Sequence, residues 1–169
     1  MYAWFRASLA AALFVVLVTP TLATEKTFHD EALDDAAITL EYELKEEAGT
    51  VETPVAKLKQ EADALLRAQE LQAAADVFVQ IVSVAPNDSF SWRKLAETWL
   101  AIPKTEQDDG SARYERARTA AYIAYQRAAK PQDEAASLVT FADASGRTSN
   151  WRAALNALKH THARRDAGT

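Results

Sequence analysis

The side chains able to do acid–base, nucleophilic or metal chemistry are few in this chain, and their spacing is unhelpful. Histidine occurs only as His29, His160 and His162. The last two are two residues apart, so on a helix they point to different sides and make a poor chelate. Cysteine is absent, which removes both a thiolate nucleophile and a soft-metal ligand. No serine sits in a Gly-x-Ser-x-Gly elbow, and Gly110 and Gly146 stand alone, with no phosphate-cradling loop around them. The paired carboxylates Asp34-Asp35, Glu46-Glu47 and Asp108-Asp109 are sequence neighbours that read as solvated. A glycosidase instead sets two carboxylates across a concave cleft. The sequence predicts no catalytic residue, no metal site and no cofactor.

The elements that carry these residues read as helices throughout. Thr27-Phe28-His29-Asp30-Glu31 is a capping stretch with acidic first-turn residues. Leu33, Ala36, Ala37, Leu40 and Leu44 follow at helical spacing until Ala48-Gly49. Asp34, Asp35, Glu41, Glu43 and Glu47 occupy the other side, read as a solvated face, with docking to a basic partner as the alternative. Pro54 suits the start of a second helix, striped by Leu58, Ala62, Leu65 and Leu66. Its partner carries Ala74, Val77, Phe78, Ile81 and Val82 and closes at Pro86. A fourth helix spans 89–101, with Ser89 expected at the N-cap and Trp92, Leu95, Ala96 and Trp99 on one face. After a polar loop from Pro103 to Ser111, Ala117, Ala121, Tyr122, Tyr125 and Ala128 form a fifth stripe. Leu138, Phe141 and Ala142 mark a sixth helix, and Trp151, Ala154, Leu155 and Leu158 a seventh. Trp151, like Trp92, Trp99, Phe78 and Phe141, is expected in the core.

Of the 169 residues, the first 23 have the order of parts of an export signal. Arg6 lies in a short basic region, Leu9 to Val18 is an unbroken apolar run, and Thr19-Pro20-Thr21-Leu22-Ala23 supplies a breaker and a small residue at the cleavage point. That run is shorter than the roughly 20 residues a transmembrane helix needs. The expected organisation is 1–23 signal peptide, 24–54 acidic helix and linker, 55–165 helical repeat domain, and 166–169 disordered tail. Removing the signal leaves 18 of the 19 basic residues against 24 acidic, a net charge near −6. Such a balance disfavours nucleic acid and anionic lipid as partners. Only four glycines and five prolines among many alanines argue for helix over sheet.

The 34 residues from Val55 to Asp88 match the period of the tetratricopeptide repeat, whose pattern sets small residues where helices cross closely and large ones in the gaps. Trp92, Leu95, Ala96 and Trp99 fit the first-helix positions of a second unit almost completely, with Ala for Gly and Trp for Tyr. Ala121, Tyr125 and Ala128 continue it, and Leu138, Phe141, Ala142, Trp151, Ala154 and Leu158 occupy matching places in a third. The chain thus resembles tetratricopeptide-repeat proteins, which implies an all-α, right-handed stack of antiparallel helix pairs, with about seven helices after the signal. A narrower likeness comes from the export signal, the acidic opening Lys26-Thr27-Phe28-His29-Asp30 and the Ala85-Pro86-Asn87-Asp88 junction into a Trp-containing helix. These are similar to the helical leader of bacterial alpha-2-macroglobulin family proteins, exported protease traps. The chain has no Cys for a thioester and no β-rich region, so only a leader or fragment role would carry over.

The repeat resemblance places Phe90, which lies off the Trp92–Trp99 stripe, on the side that lines the groove in that family. Together with Lys59, Asp63, Arg67, Arg93 and Glu97 it makes the candidate lining for an extended peptide or partner helix. The expected function is a non-enzymatic scaffold for protein–protein contact in the periplasm or cell envelope of a Gram-negative bacterium. The basic run Lys159-His160-Thr161-His162-Ala163-Arg164-Arg165 contrasts with the acidic first helix. It reads as a solvated end, a contact with a second copy, or the stub of a longer protein.

Overall fold

The structure, a computed structural model, describes residues 28–167, with side chains through residue 162. The expected signal peptide, residues 1–23, lies outside the described residues. Seven helices and no strand occur among those described: α1 Glu31–Ala48, α2 Val55–Arg67, α3 Leu71–Val84, α4 Ser89–Ala101, α5 Ser111–Arg127, α6 Pro131–Arg147 and α7 Trp151–Ala167. The expected end of α1 at Ala48-Gly49, the closing of α3 before Pro86 and the 89–101 span of α4 agree with these bounds to within a residue or two. The last helix, α7, is described as far as Ala167. The run of Ala and Arg there favours helix, and no breaker arrives before Gly168.

From α2 to α7 each helix packs against the next, and α4 also touches α6. Alanines make this close stacking possible. Ala62, Ala74, Ala75, Ala96, Ala117, Ala120, Ala121, Ala124 and Ala144 are fully buried, beside the large Trp92, Phe78, Tyr122, Tyr125 and Phe141. Pro86 shows how one such junction is held. Its carbonyl accepts the Trp92 indole N–H at 2.8 Å and a hydrogen bond from Arg127, whose guanidinium lies 5.5 Å over the same indole. Burying an indole N–H without an acceptor would be costly, so Trp92 and the turn before α4 specify each other.

The turns within two of the helix pairs repeat in detail. After α2, the amides of Ala68, Gln69 and Glu70 donate to the carbonyls of Ala64, Leu66 and Leu65, and Ala74 N–H donates to Glu70. After α6, Thr148, Ser149, Asn150 and Ala154 make the same four bonds to Ala144, Gly146, Ser145 and Asn150, every partner shifted by 80 residues. Gln69 and Ser149 share φ of 60°, the left-handed residue that closes a helix C-terminus. The pair between them, α4–α5, is joined by a longer loop. There Gly110, at φ 78°, starts α5, and a Cβ on it would meet the Tyr114 ring at 2.9 Å.

α1 lies outside this order. It packs on both α3 and α5, which make no backbone contact with each other, and buries Leu33, Leu40 and Leu44. Its acidic side is only partly the solvated face expected: Asp34 accepts the Tyr122 hydroxyl at 2.8 Å, Glu47 pairs with Arg116 at 2.6 Å, and Glu41 pairs with Arg127. Asp35 and Glu43 do remain exposed. The residue that anchors the start of α1 is Phe28, which is 2% exposed. Its ring stands edge-on to Tyr122, Tyr125, Phe141 and His160 at centroid distances of 5.2–6.2 Å, a favoured aromatic geometry.

The expectation for the last helix is corrected. Ala154 and Ala157 are buried, but Trp151, Leu155 and Leu158 are 64%, 60% and 47% exposed. α7 packs on α6 alone among the described helices, so only one side of it is covered. A periodic apolar stripe in sequence does not reveal which of two sides lacks a neighbour.

Candidate partner-binding surface

Two parallel strips of side chain carry the predicted lining. Lys59, Asp63 and Arg67 recur every fourth residue on α2, and Phe90, Arg93 and Glu97 follow at three and four on α4. The backbones of α2 and α4 do not touch. They are joined instead through Asp88, whose Oδ2 lies 2.5 Å from the Lys59 ammonium. Asp88, not Ser89, is the N-cap of α4, its carboxylate accepting the backbone N–H of Ser91 at 3.4 Å and the Ser91 hydroxyl at 2.7 Å. A carboxylate satisfies the free amides of a first turn and complements the helix dipole, which explains why it displaces the neighbouring serine. Burial acts to raise the Asp88 pKa, but hydrogen bonds from Lys59 and Ser91 outweigh it and hold the carboxyl below the usual range.

On α4 the predicted residues form one cluster. Phe90 is 47% exposed, with the Arg93 guanidinium 5.4 Å and the Lys94 ammonium 5.8 Å from its ring centre. Both cations are fixed by one carboxylate: Glu97 accepts from Arg93 at 2.7 Å and from Lys94 at 2.8 Å. The result is a half-open aromatic face with an ordered cationic edge. Asp63 and Arg67 stay apart from it. Arg67 Nε donates to the Asp63 carbonyl at 3.0 Å within α2, and both residues are exposed.

The cluster continues into a groove of about 300 Å³ between α4 and α6, lined by Glu97 and Leu100 on one side and Val139, Asp143 and Arg147 on the other. Val139 is 51% exposed. Arg147 donates to the Leu100 carbonyl at 3.0 Å and to Asp143 at 3.1 Å, fixing the groove floor. Sequence reading did not select these three residues. The available signal was Val139, an apolar side chain off the Leu138–Phe141–Ala142 stripe, as Phe90 is off its own.

No family model, curated protein or solved structure matches this chain. The tetratricopeptide and macroglobulin-leader likenesses therefore stand on the residues that carry them.

Among the described residues, no three or more His, Asp or Glu side chains gather as a metal site. His29 sits 3.7 Å from Asp34, and His160 stands edge-on to Phe28. Ser91 and Lys94 do have the Ser-x-x-Lys spacing of some acyl-transfer enzymes. The Ser91 hydroxyl is buried and donates to Asp88 while Lys94 turns to Glu97, so the pair does not face one reacting atom. No described helix is long and apolar enough to cross a membrane.

Proposed function

We propose that this chain is a non-enzymatic, tetratricopeptide-like scaffold, a right-handed stack of helix pairs that holds a protein or peptide partner in the periplasm or cell envelope. The partner lies along α4 and α6, with an apolar side chain on Phe90 and Val139 and its polar backbone or carboxylates toward Arg93, Lys94 and Arg147. The observation that carries this reading is the Phe90 cluster. An aromatic ring left half exposed, beside cations already ordered by Glu97, offers contact at little entropic cost. The matching turns of the α2–α3 and α6–α7 pairs support the repeat architecture, since stacked equivalent units create extended binding surfaces.

The test is quantitative binding to an envelope protein first recovered with the wild-type chain. Phe90→Ala and Arg93→Glu should each weaken that binding by about 1 kcal/mol or more, the usual threshold for an energetically important contact, with helicity unchanged. Wild-type affinity in both variants would reject this face as the docking site.

A further inference from the structure

Among the described residues two apolar faces are left exposed, and the charges that border them are mostly opposite. On α7, Trp151, Leu155 and Leu158 recur at four and three residues and form an exposed stripe. Arg152 and Lys159, one turn before and after Leu155, run along its edge and are exposed. On α1, Ile38 and Tyr42 are 69% and 66% exposed, and Tyr42 also lines a cleft with Val82, Pro86 and Trp92. Asp35 and Glu31, one and two turns before Ile38, border them and are also exposed, with Glu46 and the single cation Lys45 following Tyr42. Among the described residues none of Arg152, Lys159, Glu31 and Asp35 makes an ion pair. Contiguous apolar surface with a charged border is the mark of an association site.

We infer that the uncovered face of α7 is occupied by α1 of a second copy of this chain. The acidic border of one face meets the basic border of the other, which supplies register and specificity as well as attraction. Only the start of α1 comes near α7, and the two helices make no backbone contact. Asp30, which precedes α1, lines the same cleft of about 520 Å³ as Leu155 and Lys159 of α7. A two-fold axis beside that cleft lets each copy give its α1 and receive its partner's, so both stripes are covered at once and the buried area doubles. This arrangement leaves Phe90 and the α4–α6 groove free, so it stands or falls separately from the proposed partner surface.

The experiment is a charge-swap mixing test on the protein as the cell processes it, read by light scattering and sedimentation with helicity checked by circular dichroism. One variant, Arg152→Glu with Lys159→Glu, makes both faces acidic. The other, Glu31→Lys with Asp35→Lys, makes both basic. Wild type should reach dimer mass as concentration rises and lose affinity several-fold between about 0.05 and about 0.5 M salt, as exposed charges are screened. Each variant alone should be monomeric, and an equimolar mixture should recover the dimer, because both reciprocal contacts then pair opposite charges. Leu155→Asp should abolish association in every background. The inference is overturned if wild type stays monomeric at all concentrations, which would give the stripe to another occupant. It is equally overturned if both variants still self-associate, if their mixture stays monomeric while wild type dimerises, or if mass grows beyond the dimer without limit.

Discussion

Trp99 shows how one side chain ties surface to core. The indole is 5% exposed and sits beneath the Arg116 guanidinium, 5.0 Å from its ring centre, while Arg116 reaches on to Glu47 of α1. Trp99→Ala should destabilise the fold by about 3 kcal/mol or more, as large-to-small changes in a packed interior do. Thermal or urea unfolding reads this directly, and a variant melting like wild type would place the indole outside the core. Tyr122 gives a residue-scale test in pH. Burial first, and then the hydrogen bond it donates to Asp34, push its pKa up to about 12, whereas an unfolded tyrosine ionises near 10. Its contribution is complete below about pH 10 and is lost as pH climbs toward 12, because the unfolded chain releases the proton first. Wild type should therefore lose stability over that window relative to Tyr122→Phe; parallel curves would sink the assignment. These residues differ in how legible they were. Trp92, Leu95, Ala96 and Trp99 announced their burial by spacing, but Phe28 did not. A lone aromatic ahead of a helix start has no period, and its four ring partners come from α5, α6 and α7.

At the scale of elements, what repeats is the turn rather than the sequence. Gln69 and Ser149 share no side-chain chemistry, yet both adopt φ of 60° and close their helices with the same amide–carbonyl pairs. Neither is glycine, so the left-handed conformation costs each about 1 kcal/mol. Replacing exposed Gln69 with Gly should raise stability by a few tenths up to about 1 kcal/mol, the residual after glycine's own entropy cost. Ser149→Gly should behave alike if the turns are equivalent. Opposite signs in denaturant midpoint for the two variants would argue against a shared turn. Hydrophobic period located the helices well because their stripes are strong, and Pro54, Pro86 and Pro131 punctuate them. Period could not tell a helix with two covered sides from one with a single covered side. This is why the period of α7 predicts burial of Trp151, Leu155 and Leu158 while the structure exposes them.

In the whole molecule, α1 changes what kind of object the array is. A stack in which each unit touches only its neighbours unfolds as a nearly one-dimensional chain, with ends opening independently of one another. Here α1 clasps α3 and α5 through Leu40 and its neighbours, and its polar ties to Tyr122, Arg116 and Arg127 all run to α5. This clasp is not legible in the residue pattern: an acidic amphipathic helix states that it has an apolar side, not which pair of helices that side bridges. Leu40 is 4% exposed, so Leu40→Ala should cost about 2–5 kcal/mol. The sharper expectation concerns cooperativity. With the clasp loosened, amide protons of α2 and α3 should exchange well before those of α5 and α6, while in wild type all four should share nearly one opening free energy. Hydrogen exchange followed helix by helix decides the matter. If the variant still loses protection in all four helices together, the nearest-neighbour contacts already couple the array, and α1 is only a cover on its back.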